Sequence, residues 1–219
     1  NKILNTINAN TNVKIEDNIN NYILLSNEIT YLRNKNIIFT KNKSKAINLN
    51  DNSTIEADEF EYNKNLNILN ANKDVVLEDK LKNYKIISEN ITYFKNKEKF
   101  VTEGKTKAFI DLSYEFNSKN VIFLKNEMKL SSENKTTIIE KKEQFYSLNK
   151  FIYFINDQEL RGEKIVITTN YGLPKSDKFY FEDGIFNFSK RKFLAKDTKI
   201  EIHKDIFDNS DNDPRLNGV

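Results

Sequence analysis

The chain has 219 residues, of which 31% are charged and 12% aromatic, and its 35 basic and 32 acidic side chains leave a formal net charge of +3. The basic residues are dispersed among acidic residues and asparagines instead of forming a stripe, which disfavours nucleic-acid binding. The absence of cysteine excludes disulfides, thiolate catalysis and zinc-thiolate sites. No apolar run approaches the roughly 18 residues of a membrane-spanning helix, and five scattered glycines form no phosphate-binding loop.

Residues 4–35 recur without a gap as residues 66–97, with 16 identities in 32 positions. A half-period copy, 59–62, lies 31 residues from its counterpart on either side. Repetition at this period is typical of stacked architectures, in which each unit buries its apolar face against its neighbours. The chain begins at Asn1 and not at Met, so we expect a processed form or a piece of a longer protein, with export permitted.

Alternating apolar residues predict β-strands almost throughout, because the apolar set is β-branched and aromatic and falls at every second position. Three short strands, each ending on an aspartate in a polar turn, are expected at 13–17, 47–51 and 75–79. The predicted fold class is therefore all-β, with stacked antiparallel strands.

A second repeated unit switches the parity of its apolar residues, as in Leu24-x-Ser26 followed by Ile29-x-Tyr31. Residues two apart share a face of a flat strand, so this three-residue step keeps both pairs inside only if the strand bends or bulges. The same switch recurs at 55–62 and 86–93. We therefore predict a corner in every repeat, and stacked corners would form a trough with an apolar interior.

Beyond residue 105 the spacing is irregular, although strands continue. They are predicted at 108–116, 121–124, 137–139, 144–146, 151–155, 164–168, 178–181, 184–188 and 193–202. Gly162, Gly172, Pro174 and Gly184 are expected in turns between them. No linker divides the chain, so one domain is predicted over residues 1–204, and the polar stretch 205–219 is interpreted as an exit segment.

Candidate chemical sites have simpler structural explanations. The single histidine, His203, lies in the polar phase of a strand and has no second histidine or cysteine with which to bind zinc. The acidic pairs at 16–17, 58–59 and 78–79 recur with the repeat, so we interpret them as solvated turn residues and not as a catalytic pair. Asp208, Asp211 and Asp213 lack the spacing of a calcium loop. We predict that the chain is not an enzyme and needs no cofactor or metal.

An aromatic ladder that includes Tyr31, Tyr62, Tyr93, Phe100 and Phe109 has two interpretations. It is either ordinary core, with rings that stack between neighbouring units, or the lining of an open trough for a long apolar ligand. Periodicity alone favours core.

Two stretches resemble known proteins. Residues 55–62 followed by 71–77 resemble the repeat of the OstA-like family, which has an I-x-A-D-x-x-x-Y segment and then an A-x-G-N-V strand; here 72–74 replace the glycine turn. Residues 195–219 resemble the segment that joins the periplasmic N-terminal domain of the lipopolysaccharide-assembly (LptD) family to its outer-membrane barrel. Members of that family often carry cysteines here, and this chain has none.

The resemblance implies an open β-jellyroll, or β-taco, at the periplasmic face of the outer membrane. It would accept lipopolysaccharide from a periplasmic bridge protein of the same fold through its N-terminal edge, residues 1–15. It would pass the lipid on to an outer-membrane barrel with its plug lipoprotein, and that barrel is absent from this chain. The acyl chains would contact the following trough-lining residues: Leu24, Ile29, Tyr31, Ile55, Phe60, Tyr62, Ile86, Ile91, Tyr93 and Phe109.

Two alternatives stay open on the sequence. A soluble periplasmic bridge protein of the same superfamily would have the same trough without a downstream barrel. A closed β-solenoid, as in adhesins, structural proteins and polysaccharide-processing enzymes, would use the same strands around a filled core.

Overall fold

The computed structural model describes residues 5–18, 21–141, 143–203 and 215–218, the last of these with the backbone alone for 215–217. The described part consists of antiparallel strands, and its helical structure is the single 3-10 turn Lys95–Lys97. No helix in this part is long and apolar enough to cross a membrane. The predicted all-β class with stacked antiparallel strands is confirmed.

The chain divides into two compact units, residues 1–111 and 112–219. The predicted single domain over 1–204 stays a prediction. The first unit is called unit 1, and its described residues form nine strands: β1 Thr6–Asp17, β2 Tyr22–Leu32, β3 Ile37–Lys41, β4 Ser44–Asn48, β5 Thr54–Ala57, β6 Glu59–Asn63, β7 Ile68–Asp79, β8 Tyr84–Phe94 and β9 Lys99–Ile110.

The two copies of the sequence repeat have the same strand bounds and the same register. Adding 62 to the bounds of β1 and β2 gives those of β7 and β8. In each pair the register shifts at the same place, between Asn10 and Val13 of β1 and between Asn72 and Val75 of β7. Similar sequences therefore form equivalent pairs of strands.

The predicted corner lies at this register shift. In each copy two residues of one strand oppose a single residue of its partner, which is the arrangement of a β-bulge. Residues of the bulges take left-handed backbone conformations with φ of 51° to 77°, among them Thr11, Asn42, Lys73 and Gly104 at intervals of 31 residues. The small residues predicted before the bend, Ser26, Ala57 and Ser88, are buried.

The corner divides the sheet of unit 1 into two arms. Arm A contains β3, β6 and the parts of the long strands on their side of the corner, and arm B contains β4, β5 and the remaining parts. The turns at the free end of arm A are residues 33–36, 64–67 and 95–98, and those at the free end of arm B include 49–53 and 80–83. We call the two free ends the mouth of unit 1.

Unit 2, residues 112–219, contains the remaining strands. They are β10 Tyr114–Lys119, β11 Ile122–Leu124, β12 Lys129–Ser132, β13 Thr136–Glu140, β14 Gln144–Leu148, β15 Lys150–Phe154, β16 Glu159–Thr168, β17 Lys178–Asn187, β18 Lys192–Lys196, β19 Thr198–Glu201 and β20 Arg215–Gly218.

Aromatic rings fill the interior of unit 2. Phe116 contacts Tyr153 and Phe151 with ring centroids 5.0 and 5.5 Å apart, and Tyr114 stacks on Phe188 at 4.9 Å. Tyr146 also contacts Phe188, at 5.4 Å. All of these residues are at most 7% exposed. We call this group the aromatic cluster.

Several predicted bounds in this half of the chain are wrong. The strand expected at 108–116 is interrupted by a turn at 111–113, and the strands expected at 178–181 and 184–188 form one strand, β17. Gly162 and Gly184 do not form turns. They pair with each other across β16 and β17, where an added Cβ on Gly162 would lie 2.7 Å from Leu148 Cδ1.

Residues 205–214 and 219 of the predicted exit segment lie outside the described residues. Within it, β20 pairs antiparallel with β19, with Arg215 opposite Glu201 and Gly218 opposite Thr198. The segment thus contains a strand that the sequence analysis did not predict. Gly172 and Pro174 do lie in a loop, as predicted.

Candidate functional site

The inner face of unit 1 carries three continuous rows of side chains that run across the strands from β1 to β9. Each row takes one residue from each of the seven strands that it crosses and places it directly opposite the next, so neighbouring side chains are in cross-strand contact. The row on arm B is Ile15, Leu24, Ala46, Ile55, Leu77, Ile86 and Ala108. The rows on arm A are Ile7, Tyr31, Ile38, Tyr62, Leu69, Tyr93 and Phe100, and Ala9, Ile29, Thr40, Phe60, Ala71, Ile91 and Thr102.

Nine of the ten predicted trough residues lie in these rows. Six of them are buried, namely Ile29, Ile55, Phe60, Ile86, Ile91 and Tyr93. Leu24, Tyr31 and Tyr62 are half-buried. The structure therefore brings the predicted residues together on one surface, and their predicted contact with lipid stays a prediction.

Phe109 is the exception. It lies on β9 between Ala108 and Ile110, which are both buried on the inner face, and its partner across the sheet is Lys85. Alternation along a strand places successive side chains on opposite faces, so Phe109 points outward. The predicted inward position of Phe109 is wrong. Its ring instead lies 5.7 Å from the ammonium group of Lys107 on the outer surface.

Exposure of the inner rows decreases from β1 towards β9. In the tyrosine row, Ile7 on β1 is 48% exposed and Phe100 on β9 is 3% exposed. In the arm B row, Ile15 is half-buried, whereas its counterpart in the second copy, Leu77, is 1% exposed. Among the described residues β1 pairs only with β2, so its inner side chains have a neighbour on one side. The apolar interior is thus accessible at the β1 end.

The tyrosines of arm A form a polar belt at the mouth. Each hydroxyl donates a hydrogen bond to the left-handed residue that ends the following turn: Tyr31 to Asn36 Oδ1 (2.7 Å), Tyr62 to Asn67 Oδ1 (3.4 Å) and Tyr93 to Glu98 Oε1 (2.7 Å). The ring of each tyrosine packs in the apolar row while its hydroxyl reaches the mouth. The inner surface therefore changes from apolar to polar towards the mouth.

The two arms meet at one point of the mouth. The hydroxyl oxygens of Tyr22 on arm B and Tyr93 on arm A are 3.2 Å apart, although the residues are 71 positions apart in sequence. The Lys95 ammonium group lies 4.5 Å from the centroid of the Tyr22 ring, within cation-π range. We call Tyr22, Tyr93 and Lys95 the mouth clasp. The predicted open trough is bridged at this point.

Burial governs the charge states of the clasp. Burial is the largest cause that raises the pKa of Tyr93 above its usual value, and the hydrogen bonds to Tyr22 and Glu98 raise it further. Burial likewise raises the pKa of Tyr22. Burial lowers the pKa of Lys95, against the opposing effect of Asp17 and Glu98. Both tyrosines are therefore neutral hydrogen-bonding groups at physiological pH.

Buried hydroxyl groups line the inside of the corner. Ser44 Oγ lies within hydrogen-bond distance of Thr40 Oγ1 (2.6 Å) and of Ser26 Oγ (3.0 Å), and Thr40 Oγ1 accepts the backbone N–H of Phe60 at 2.9 Å. The second copy repeats the contact between Thr102 and Thr106 at 2.6 Å. These hydroxyls satisfy backbone groups that the bulge removes from the strand ladder, so the corner is a structural feature.

The other candidates have structural roles. Asp79 is 1% exposed, so its predicted solvated position is wrong; its Oδ1 accepts the backbone N–H groups of Leu81 and Lys82, both at 3.0 Å, and holds the turn that follows β7. The backbone N–H of His203 donates to Asp177 Oδ1 at 2.8 Å. Asp208, Asp211 and Asp213 lie outside the described residues.

The sequence analysis missed the turn residues and Tyr22. A signal for the belt was present, because a tyrosine is followed five positions later by Asn36, Asn67 or Glu98 at intervals of 31 residues. Tyr22 also recurs as Tyr84. The contact between Tyr22 and Tyr93 has no local signal, since it depends on how the two arms face each other.

Comparison with known proteins adds little. The chain matches no protein-family model. It matches no curated protein. Among solved structures it is similar to LptH of Pseudomonas aeruginosa, described as the LptA-homologous periplasmic component of the lipopolysaccharide transport device, with a TM-score of 0.27 and 11% sequence identity over 75% of this chain and 92% of LptH. A likeness at this TM-score carries no argument about fold or function.

Proposed function

We propose that this chain is an OstA-like periplasmic domain that binds lipopolysaccharide and passes it towards the outer membrane. One observation carries the proposal: the inner rows of unit 1 form a continuous, largely apolar surface across strands β1 to β9, and this surface is accessible at β1. The OstA-like and LptD-like sequence resemblances support the choice of ligand and of compartment.

The energetics of apolar burial favour a surface that transfers lipid over a site that holds it through specific polar contacts. Burial of each acyl methylene contributes about 0.8 kcal/mol, so several long chains bind firmly without any precisely placed polar group. Successive strands present equivalent rows, because the two copies of the repeat have the same register. Along the accessible part of the rows, a lipid would move between similar positions with a small change in free energy, so direction would come from the delivering and receiving partners.

The proposed partners are a periplasmic bridge protein of the same fold and an outer-membrane barrel with its plug lipoprotein. The delivering partner would pair with β1, which has one partner strand among the described residues and therefore offers a row of unpaired backbone groups. Residues 1–4 of the predicted docking edge lie outside the described residues. The barrel would follow the C-terminal segment in the same protein.

Photocrosslinking tests the proposal. A photoreactive phenylalanine derivative at Tyr62 places the probe in the inner tyrosine row, and the same derivative at the adjacent Asn63 places it on the outer face. In cells that make lipopolysaccharide, we expect lipopolysaccharide adducts at Tyr62 and none at Asn63. A folded, exported chain without an adduct at Tyr62 would contradict the proposal.

One observation favours a second candidate, a structural protein with a filled core. At the β9 end of unit 1 the inner side chains, such as Ile86, Ile91 and Phe100, are at most 3% exposed. In a purely structural role these rows would exclude ligand along their whole length. The Tyr62 and Asn63 pair would then give the same result, without lipid adducts at either position.

A further inference from the structure

Basic side chains are concentrated on one side of the mouth, at the free end of arm A. The three turns at the free end of arm A, residues 33–36, 64–67 and 95–98, contain five basic residues and one acidic residue. We call these turns the basic rim; its cations are Arg33, Lys35, Lys64, Lys95 and Lys97. The arm B turns 49–53 and 80–83 have two lysines, one aspartate and the exposed leucines Leu49 and Leu81.

Hydrogen bonds align the turns of the basic rim. The backbone N–H of Lys64 donates to Asn36 O, and that of Lys95 donates to Asn67 O, both at 3.0 Å. Asn36 Nδ2 also donates to Asn65 Oδ1 at 2.9 Å. Neighbouring turns follow every second strand, so they repeat about every 10 Å along the mouth. The cations therefore form a regular line instead of a random scatter.

The cations of the basic rim are available to a ligand. Arg33, Lys35, Lys64 and Lys97 are exposed, and none of the five forms an ion pair with a carboxylate in the part of the chain that the structure describes. Lys95 instead contacts the Tyr22 ring, and the Lys64 ammonium group lies 6.0 Å from the centroid of the Tyr31 ring. Elsewhere on unit 1, lysines such as Lys14, Lys45 and Lys73 pair with glutamates.

Polarity changes in a fixed order from the interior to this side of the mouth. The inner rows are mostly apolar, the tyrosine hydroxyls follow at the end of the strands, and the basic rim lies beyond them. An anionic amphiphile has the complementary order, with apolar chains, a polar neck and a charged headgroup. Ammonium and guanidinium groups pair strongly with phosphoryl oxygens.

We propose that the basic rim binds the phosphoryl groups of an anionic amphiphile headgroup whose chains lie against the inner rows. This inference rests on the proposed function and specifies it, since it places the headgroup on arm A and not on arm B. It also assigns a role to the mouth clasp, because Lys95 belongs to both the clasp and the basic rim. A phosphoryl group drawn to Lys95 competes with the Tyr22 ring for the same ammonium group.

Two triple variants of the full chain test this inference. The rim variant is Lys35→Gln/Lys64→Gln/Lys97→Gln, and the matched control is Lys41→Gln/Lys43→Gln/Lys105→Gln, which removes three exposed charges near the corner. We expect the rim variant to bind purified lipopolysaccharide about tenfold more weakly or worse, with a smaller dependence on salt. We expect the control to stay within about twofold of the unsubstituted chain. Circular dichroism melting checks that both variants fold.

Dephosphorylated lipopolysaccharide separates the headgroup from the chains. We expect it to bind the unsubstituted chain more weakly than intact lipopolysaccharide does, and to discriminate less between the unsubstituted chain and the rim variant, because the two losses act on the same contact. Equal weakening in the rim and control variants, or no effect of dephosphorylation, would overturn the inference and leave lipid binding intact. Binding of inorganic phosphate alone at the rim, without competition with lipopolysaccharide, would overturn the assignment to a headgroup. Failure of the unsubstituted chain to bind either form of the lipid would overturn the proposed function as well.

Discussion

Units 1 and 2 are both built from antiparallel strands, but their interiors differ. The interior of unit 1 has aliphatic rows and a tyrosine belt, and part of it is accessible at β1. The aromatic cluster fills the interior of unit 2, where Phe116, Phe151 and Tyr153 are at most 1% exposed. Rings that pack against each other leave no continuous surface for a long ligand. Rows of Leu, Ile and Tyr side chains provide such a surface. Two features therefore distinguish the candidate lipid surface from a packed core: the side chains of its rows, and its accessible edge at β1.

The largest expected effect on the free energy of unfolding comes from removing a ring of the aromatic cluster. Phe116→Ala removes a fully buried ring that contacts Phe151 and Tyr153, so we expect a loss of about 3–5 kcal/mol in the free energy of unfolding. The matched change in unit 1 is Leu24→Ala. Because Leu24 is half-buried and lies near the accessible edge, we expect a loss of only about 1–2 kcal/mol.

Urea denaturation followed by circular dichroism measures both losses, and Phe116→Leu serves as the milder control in the cluster. The site with the smaller effect on stability should have the larger effect on lipopolysaccharide binding. We expect Leu24→Ala to weaken binding and Phe116→Leu to leave it unchanged. Equal stability losses for Phe116→Ala and Leu24→Ala would contradict the distinction between the two interiors.

The mouth clasp gives unit 1 a pH dependence of its own. Burial raises the folded-state pKa of Tyr22 and Tyr93 above 10.0, so each contributes stability that is fully present below the unfolded pKa, near 10, and is lost as pH rises from there. We expect the free energy of unfolding to fall above about pH 10, and Tyr93→Phe to make this fall less steep.

Chemical denaturation at pH 8 and at pH 10.5 measures this slope. The partly buried Tyr180 of unit 2, whose pKa is also raised by burial, provides the comparison through Tyr180→Phe. A Tyr93→Phe chain that loses stability with pH as steeply as the unsubstituted chain would contradict the role of the clasp.

The smallest expected effect concerns the corner. Lys73 has a left-handed backbone with φ of 66°, which costs a residue with a Cβ about 1 kcal/mol relative to glycine. We therefore expect Lys73→Gly to stabilise the chain by a few tenths of a kcal/mol to about 1 kcal/mol, after the entropy that glycine adds to the unfolded state. Lys85→Gly, within a regular part of β8, is the control and should destabilise it. Thermal melts of the two variants compare them, and destabilisation by both would contradict the strain assigned to the corner.

The repeat made the inner rows predictable. Two copies in register, with a parity switch at Ser26 and Ile29, required a bend and placed Leu24 and Tyr31 on the same side of the sheet. The inward position predicted for Phe109 was wrong because the residue was grouped with other aromatic residues by type. Alternation along β9 assigns it to the outer face. The turn at 111–113 was also missed, because it contains no glycine or proline. Asp111 and Leu112 adopt the left-handed conformations there instead.

Long-range features were not predictable from the sequence. The contact of Tyr22 with Tyr93 depends on the angle between the arms, and the basic rim depends on turns that lie 31 residues apart but stack in space. From the sequence alone we assigned no role to the frequent asparagines. Many of them have a local role, because Asn21, Asn36, Asn52, Asn67 and Asn83 occupy left-handed turn positions that glycine commonly fills.

The accessible edge of the inner rows offers the most direct test of the central claim. Leu24 and Leu25 are adjacent leucines of β2 on opposite faces, with Leu24 between Ile15 and Ala46 and Leu25 between Lys14 and Lys45. We would place the photoreactive residue at each position in turn and measure lipopolysaccharide adducts in living cells. We expect adducts at position 24 and none at position 25. Adducts at both positions, or at neither in a folded chain, would contradict the claim that the interior of unit 1 holds lipid.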